Sequence, residues 1–181
     1  MMNSSKKKAR AEPSKPQRIR DPIHNLIEFD VSQFEQVIWR VLKTRPFQRL
    51  RRIRQLGFTE FVYPGATHSR FAHSVGVFQT ARHLMRIIER HMANNEFKST
   101  LAYQALAAAL VHDLGHGMFS HAFEDIGKEL GLLMAKHENV SDLLIRDSEV
   151  SHEFKVLGSG FANDVADIVK RKFPENLYAA V

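Results

Sequence analysis

Between Ser69 and His91, apolar side chains recur at three- and four-residue steps: Phe71, Val75, Phe78, Ala81, Leu84, Met85 and Ile88. An α-helix turns once in about 3.6 residues, so these side chains share one stripe that has to be buried against neighbouring elements. Ser69 is the expected N-cap, because its hydroxyl can accept from a free amide of the first turn. A second helix, rich in Ala and Leu, is expected from Ser99 to His112, where Gly115 and Gly117 interrupt it. The short connection between the two helices implies antiparallel packing, which lets His73 and His112 face one another. Further helices are expected near Ser120, Lys136 and Ala162.

Ahead of this bundle the signals are weaker. Asp21-Pro22 reads as a turn, and Ile23 to Phe29 alternates loosely enough for a short hairpin. Val31, Phe34, Val37, Ile38, Val41 and Leu42 have helical spacing. Pro46 opens another helix through Arg54, which Gly57 stops. Phe58 to Tyr63 is β-branched and aromatic, and is expected as a short strand closed by Pro64-Gly65. The fold class is therefore mostly α with a small β element near the N-terminus.

The charge is uneven. Residues 1–20 carry Lys6, Lys7, Lys8, Arg10, Lys15, Arg18 and Arg20 against Glu12, which accounts for the whole net charge of +6. The high isoelectric point thus describes a tail rather than a basic domain. The tail is expected to be disordered, serving as a solubilising arm or making a weak electrostatic contact with nucleic acid. The stretch Arg40 to Arg54 is basic and holds no acid. It reads as a solvated face or as a set of phosphate contacts. Neither a membrane span nor a secretory signal is evident, and a cytoplasmic protein is expected.

With no cysteine and ten histidines, any metal has to be held by His, Asp or Glu. The richest segment runs from His112 through Asp113, Gly115, His116 and Gly117 to His121. At a helix end the glycines let the backbone turn away, so adjacent His112 and Asp113 can converge on one ion. An imidazole with a carboxylate suits Zn, Mn, Fe, Co or Ni better than Ca. A lone His-Asp pair is usually only a hydrogen bond at a helix end. Here, however, His73, His112, His116, His121 and His137 accompany Asp113 and Glu124. His121 and Glu124 are spaced to meet on a helix. A carboxylate that holds one imidazole nitrogen raises the basicity of the other, which makes a workable general acid for a leaving oxygen. A plain surface pair is the alternative.

Three ordered blocks carry a resemblance: Ser69-Arg70-Phe71-Ala72-His73-Ser74-Val75-Gly76-Val77, His112-Asp113-Leu114-Gly115-His116-Gly117 through His121, and His137-Glu138. Together with Asp21-Pro22-Ile23-His24, Thr44 to Arg51 and Gln55-Leu56-Gly57, they resemble the HD superfamily, and within it the deoxynucleoside triphosphate triphosphohydrolases. The resemblance implies an HD-domain helical bundle over residues 18–181, following a disordered tail at 1–17. It implies that His73, His112 and Asp113 bind a divalent transition metal (Mn, Fe, Zn, Co or Ni) or Mg. It further implies that Arg70 and His116 contact substrate phosphates and that Gln55 sits near the deoxyribose. His121 with Glu124 is then the catalytic acid/base, and His137 lines the same pocket. Gln48 and Arg51 match residues of a regulatory nucleotide site, although Lys43 stands where an acidic residue is expected, which argues against guanine-specific regulation.

The implied activity is metal-dependent hydrolysis of dNTPs to deoxynucleoside and triphosphate, in an enzyme that is a homo-oligomer when whole. Another HD phosphodiesterase or nucleotidase, or a non-catalytic nucleotide- or nucleic-acid-binding fragment, are the alternatives. The family's fourth ligand is an aspartate in an Asp-Ala-Asp-Arg-like segment. Asp142, Asp147, Asp164 and Asp167 do not match it, so the expectation is a chain truncated on its C-terminal side.

Overall fold

The structure is a computed structural model that describes residues 15–92, 96–172 and 176–180. Most of the expected basic tail lies outside the described residues. Strands β1 (Gln17–Asp21) and β2 (Asn25–Phe29) form an antiparallel hairpin in which Gln17 pairs with Phe29 and Asp21 with Asn25. The hairpin thus begins earlier than the alternation of Ile23 to Phe29 indicated. Its turn is set by Asp21, whose Oδ1 accepts from the amides of Ile23 and His24 at 2.9 Å each.

Helix α1 (Gln33–Leu42) is capped by Ser32, so Val31 falls outside it and is exposed. Helix α2 (Arg45–Arg49) carries Pro46 in its first turn and tightens into a 3₁₀ turn at Leu50–Arg52, short of the expected Arg54. The expected strand at Phe58 to Tyr63 is instead a 3₁₀ turn, Gly57–Phe61. A strand needs a partner ladder, and the hairpin offers none here; Phe58, Phe61, Val62 and Tyr63 stay exposed.

Helix α3 (Arg70–His91) has the expected cap, Ser69 Oγ accepting from the Ala72 amide. Helix α4 (Ser99–Val111) follows and packs against α3. Helices α5 (His121–Glu129), α6 (His137–Arg146) and α8 (Phe161–Val169) match expectation, whereas α7 (Glu149–Phe154) was not anticipated. Six residues are too few to display a helical period. A final 3₁₀ turn spans Leu177–Ala180.

The core lies between α1, α3, α4 and α8. Buried Ala102, Ala105, Ala107 and Ala108 let α4 approach α3 on one side and α8 on the other. From α3, Phe71, Val75, Phe78 and Met85 are buried, each contributing about 1.5–3 kcal/mol of apolar burial. Leu84, on the edge of the stripe, is 40% exposed. The hairpin covers this core through Ile27 and Phe29, with Phe29 stacked on Phe78 at 5.9 Å. Among the described residues, no helix is long and apolar enough to cross a membrane.

A buried ion pair ties hairpin, α1 and α3 together. Arg82 reaches Glu35 at 2.9 Å and donates to the carbonyl of Glu28 at 2.9 Å. Burial pushes the Glu35 carboxyl above its ordinary range, against the pull of Arg82. A raised carboxyl means that the folded state binds a proton more readily than the unfolded state, so the cost of the carboxylate grows as pH rises. Arg82→Met should therefore cost about 3–5 kcal/mol near neutral pH, and less at pH 5. Denaturant unfolding of both proteins at the two pH values checks this.

Candidate metal centre

Helices α3 and α4 bring the expected ligands together. His73 lies one turn into α3, and His112 follows the last residue of α4, with ring centroids 5.4 Å apart. Asp113 is next along the chain and 5% exposed. His112 Nδ1 is 2.9 Å from the carbonyl oxygen of Ala109. A carbonyl only accepts, so Nδ1 carries the proton and Nε2 keeps the lone pair a metal needs. His112 Nε2 is 3.3 Å from Asp113 Oδ1, and His73 Nε2 is 3.7 Å from Asp113 Oδ2. Two ligands about 2.1 Å from one ion and about 109° apart are separated by roughly 3.4 Å. The donor types fit a divalent transition metal, and one ligand atom from each of the three residues lies within 4.8 Å of the others, so the group is able to hold one.

Asp113 is buried, which opposes its ionisation, yet the neighbouring His116, His112 and Arg70 overturn this and hold the carboxyl far below its ordinary range. Burial lowers the pKa of both His73 and His116, which favours their neutral, ligating or hydrogen-bonding forms. Arg70, expected at substrate phosphates, is 2% exposed and lies directly against Asp113. Its Nε also donates to Ser120 Oγ at 3.1 Å, and a terminal nitrogen donates to the carbonyl of Gln55 at 3.4 Å. Gln55 thus enters the site through its backbone, and its side-chain oxygen is buried without a partner.

Beyond Asp113 the imidazoles gather around one carboxylate. Glu124 Oε1 lies 2.6 Å from His137 Nδ1, 3.4 Å from His116 Nδ1 and 3.5 Å from His121 Nδ1. The expected partner of Glu124 was His121; its hydrogen bond goes to His137 instead. His116 is 1% exposed and stacks on His137 at 3.8 Å, with Nε2 3.4 Å from Asp113. His121 stands at the open rim, its side chain 69% exposed. One cavity of about 350 Å³ reaches His112 and His137, and another of about 740 Å³ opens beside His73, His68 and His24.

Four of the aspartates downstream of the site take no part in it. Asp142 and Asp167 pair with Arg146, and Asp164 accepts from Gln104. Asp147 follows α6 as its C-cap.

Sequence reasoning overlooked what supports the ligand turn. Ser141 Oγ accepts from the Gly115 amide at 2.8 Å and donates to the His112 carbonyl at 3.1 Å. Arg49 donates to the carbonyls of Leu114 at 2.6 Å and His116 at 2.7 Å. Ser120, read as the start of a helix, has φ +54° and no capping bond; its hydroxyl joins Arg70 to the carbonyls of Arg54 and Gln55. Backbone partners of this kind leave no pattern in a sequence.

The basic stretch Arg40 to Arg54 is also largely engaged within the protein. Arg40 pairs with Glu153, Arg54 with Glu60, and Arg51 lies over the ring of Phe71.

Gly115 is where the turn presses on α6. A Cβ there would overlap the carbonyl oxygen of His137 and the amide nitrogen of Ser141. Gly115→Ala should therefore force the turn off α6, costing at least about 1–3 kcal/mol of stability. Thermal unfolding measures this, and an unchanged Tm would show that the turn is free to shift.

The chain is similar to several known proteins. A family model described as HD domain matches residues 70–178. The chain is 36% identical over 155 residues to the uncharacterized protein YwfO of Bacillus subtilis, an alignment covering 85% of this chain and 33% of that protein. It is 36% identical over 156 residues to the deoxynucleoside triphosphate triphosphohydrolase SAMHD1 of Gallus gallus, covering 82% of this chain and 24% of the relative. A crystal structure of a phosphohydrolase from Bacteroides thetaiotaomicron matches with TM-score 0.69 and 29% identity, over 91% of this chain and 37% of that one. The chain thus spans about a third of the Bacillus protein and less of the animal relative.

Proposed function

The chain belongs to the HD-domain phosphohydrolase family, and from that premise we propose that it hydrolyses deoxynucleoside triphosphates to deoxynucleoside and inorganic triphosphate. The observation that carries this reading is the convergence of His73, His112 and Asp113 beside a carboxylate ringed by imidazoles. The resemblance to an animal enzyme named for this reaction supports the choice of substrate.

A divalent ion held by His73, His112 and Asp113 supplies Lewis acidity toward a phosphoryl oxygen and lowers the pKa of water. The chain's own residues do the rest. Water attacks the α-phosphorus and releases a proton to solvent as the bond from phosphorus to the 5′-oxygen breaks; the bonding pair leaves on that oxygen, which takes a proton that solvent then restores to the donor. His121 donates this proton, because it stands at the exposed rim with its Nδ1 turned to Glu124. Glu124 faces the His121 ring, and His137, hydrogen-bonded to the same oxygen, fixes the carboxylate in place. Arg70 balances the charge of buried Asp113 and adds positive potential behind the phosphates. His116 lies between the two carboxylates, with Nε2 3.4 Å from Asp113 and Nδ1 3.4 Å from Glu124.

The test is a product assay with each dNTP and Mn²⁺, separating deoxynucleoside and triphosphate. We expect Asp113→Ala to abolish turnover and His121→Ala to slow it at least about 100-fold. Release of pyrophosphate and nucleoside monophosphate would replace this reading with a different phosphohydrolase. A His121→Ala variant of near-normal rate would remove the assigned proton donor.

A further inference from the structure

The turn that carries Asp113 holds backbone groups outside any helical ladder: the carbonyls of His112, Leu114 and His116, and the amide of Gly115. Such groups cost free energy when buried unless they are partnered. Two side chains far apart in the sequence supply the partners. Ser141, from α6, takes the Gly115 amide and the His112 carbonyl. Arg49, from the end of α2, takes the carbonyls of Leu114 and His116.

We propose that Arg49 is a positioning residue of the metal centre, its guanidinium clamping the carbonyls of Leu114 and His116 so that Asp113 and His116 keep their places opposite His73. The proposal rests on the reading that His73, His112 and Asp113 hold a divalent ion.

The geometry is specific to an arginine. The two carbonyls flank Gly115, and two nitrogens of one planar fork reach them at 2.7 and 2.6 Å. A lysine ammonium is a point charge without that fork. The clamp is anchored on its own side as well. Arg51, two residues on, lies 3.6 Å from the centroid of the Phe71 ring. Phe47, in α2 itself, meets the same ring edge-on at 5.4 Å. Phe71 belongs to α3, two residues before His73, so α2 refers the ligand turn back to the helix that supplies the first histidine. Arg49 therefore acts on a metal through the backbone of the ligand turn without touching the ion.

Co²⁺ titration tests this, followed by its visible absorption bands and by isothermal calorimetry, with far-ultraviolet circular dichroism as the folding control. Loss of an outer support of a ligand commonly weakens metal affinity about 10- to 100-fold. We expect that loss for Arg49→Ala with its helical signal retained, together with partial recovery when millimolar guanidinium ion is added. Arg49→Lys should fall between parent and Arg49→Ala, and it decides the matter if Arg49→Ala does not fold. A variant that binds Co²⁺ within twofold of the parent, or a loss that guanidinium leaves unchanged, overturns the assignment. A parent chain that binds no Co²⁺ overturns the metal reading itself, and this inference falls with it.

Discussion

Asp113 is a carboxylate held in its charged form at a place almost closed to water. Burying an isolated charge costs several kcal/mol even after relaxation, so the structure around it is largely an arrangement of compensation. Arg70 comes from the first turn of α3, His112 from the end of α4, and His116 from the glycine-flanked turn, and all three face the carboxylate. The packing of α3 against α4 is thus fixed at one end by electrostatics and along its length by alanine contacts. The same carboxylate presents one oxygen toward His73 and the other toward His112. Stability and ligand geometry therefore depend on the same groups.

From Asp113 the polar network continues outward in one direction. His116 stands between it and Glu124, and Glu124 gathers His137 and His121. Along this line exposure rises from the buried His116 to the rim-standing His121. The group able to hold a metal and the Glu124 cluster lie on either side of one buried imidazole, His116. This is a useful arrangement for phosphoryl chemistry, where positioning and charge compensation matter more than covalent steps.

The sequence made much of this legible, and for a physical reason. Ligand chemistry admits few residue types, helical periodicity set His73 opposite His112, and the family resemblance implied His73, His112 and Asp113 as the ligands. The long apolar stripe of α3 was equally plain. Legibility failed where a side chain serves a backbone. Arg49 and Ser141 bind carbonyls and an amide, and in the sequence one is lost in a basic stretch and the other in an ordinary helix. Phe58 to Tyr63 failed differently: its β propensity was real, but among the described residues no neighbouring strand stands beside it to pair with, and Gly57–Phe61 coils into a 3₁₀ turn. Glu124 was paired in the sequence with His121, yet its hydrogen bond goes to His137, which the packing of α6 on the ligand turn brings to it.

Whether His73, His112 and Asp113 share one metal position decides the chemistry of this site. The most direct measurement is a crystal of this chain soaked in Mn²⁺, read by anomalous scattering. A single strong peak is expected within about 2.0–2.3 Å of His73 Nε2, His112 Nε2 and an Asp113 carboxylate oxygen. Density absent from that point, or a peak seated on the Glu124 cluster instead, would contradict it.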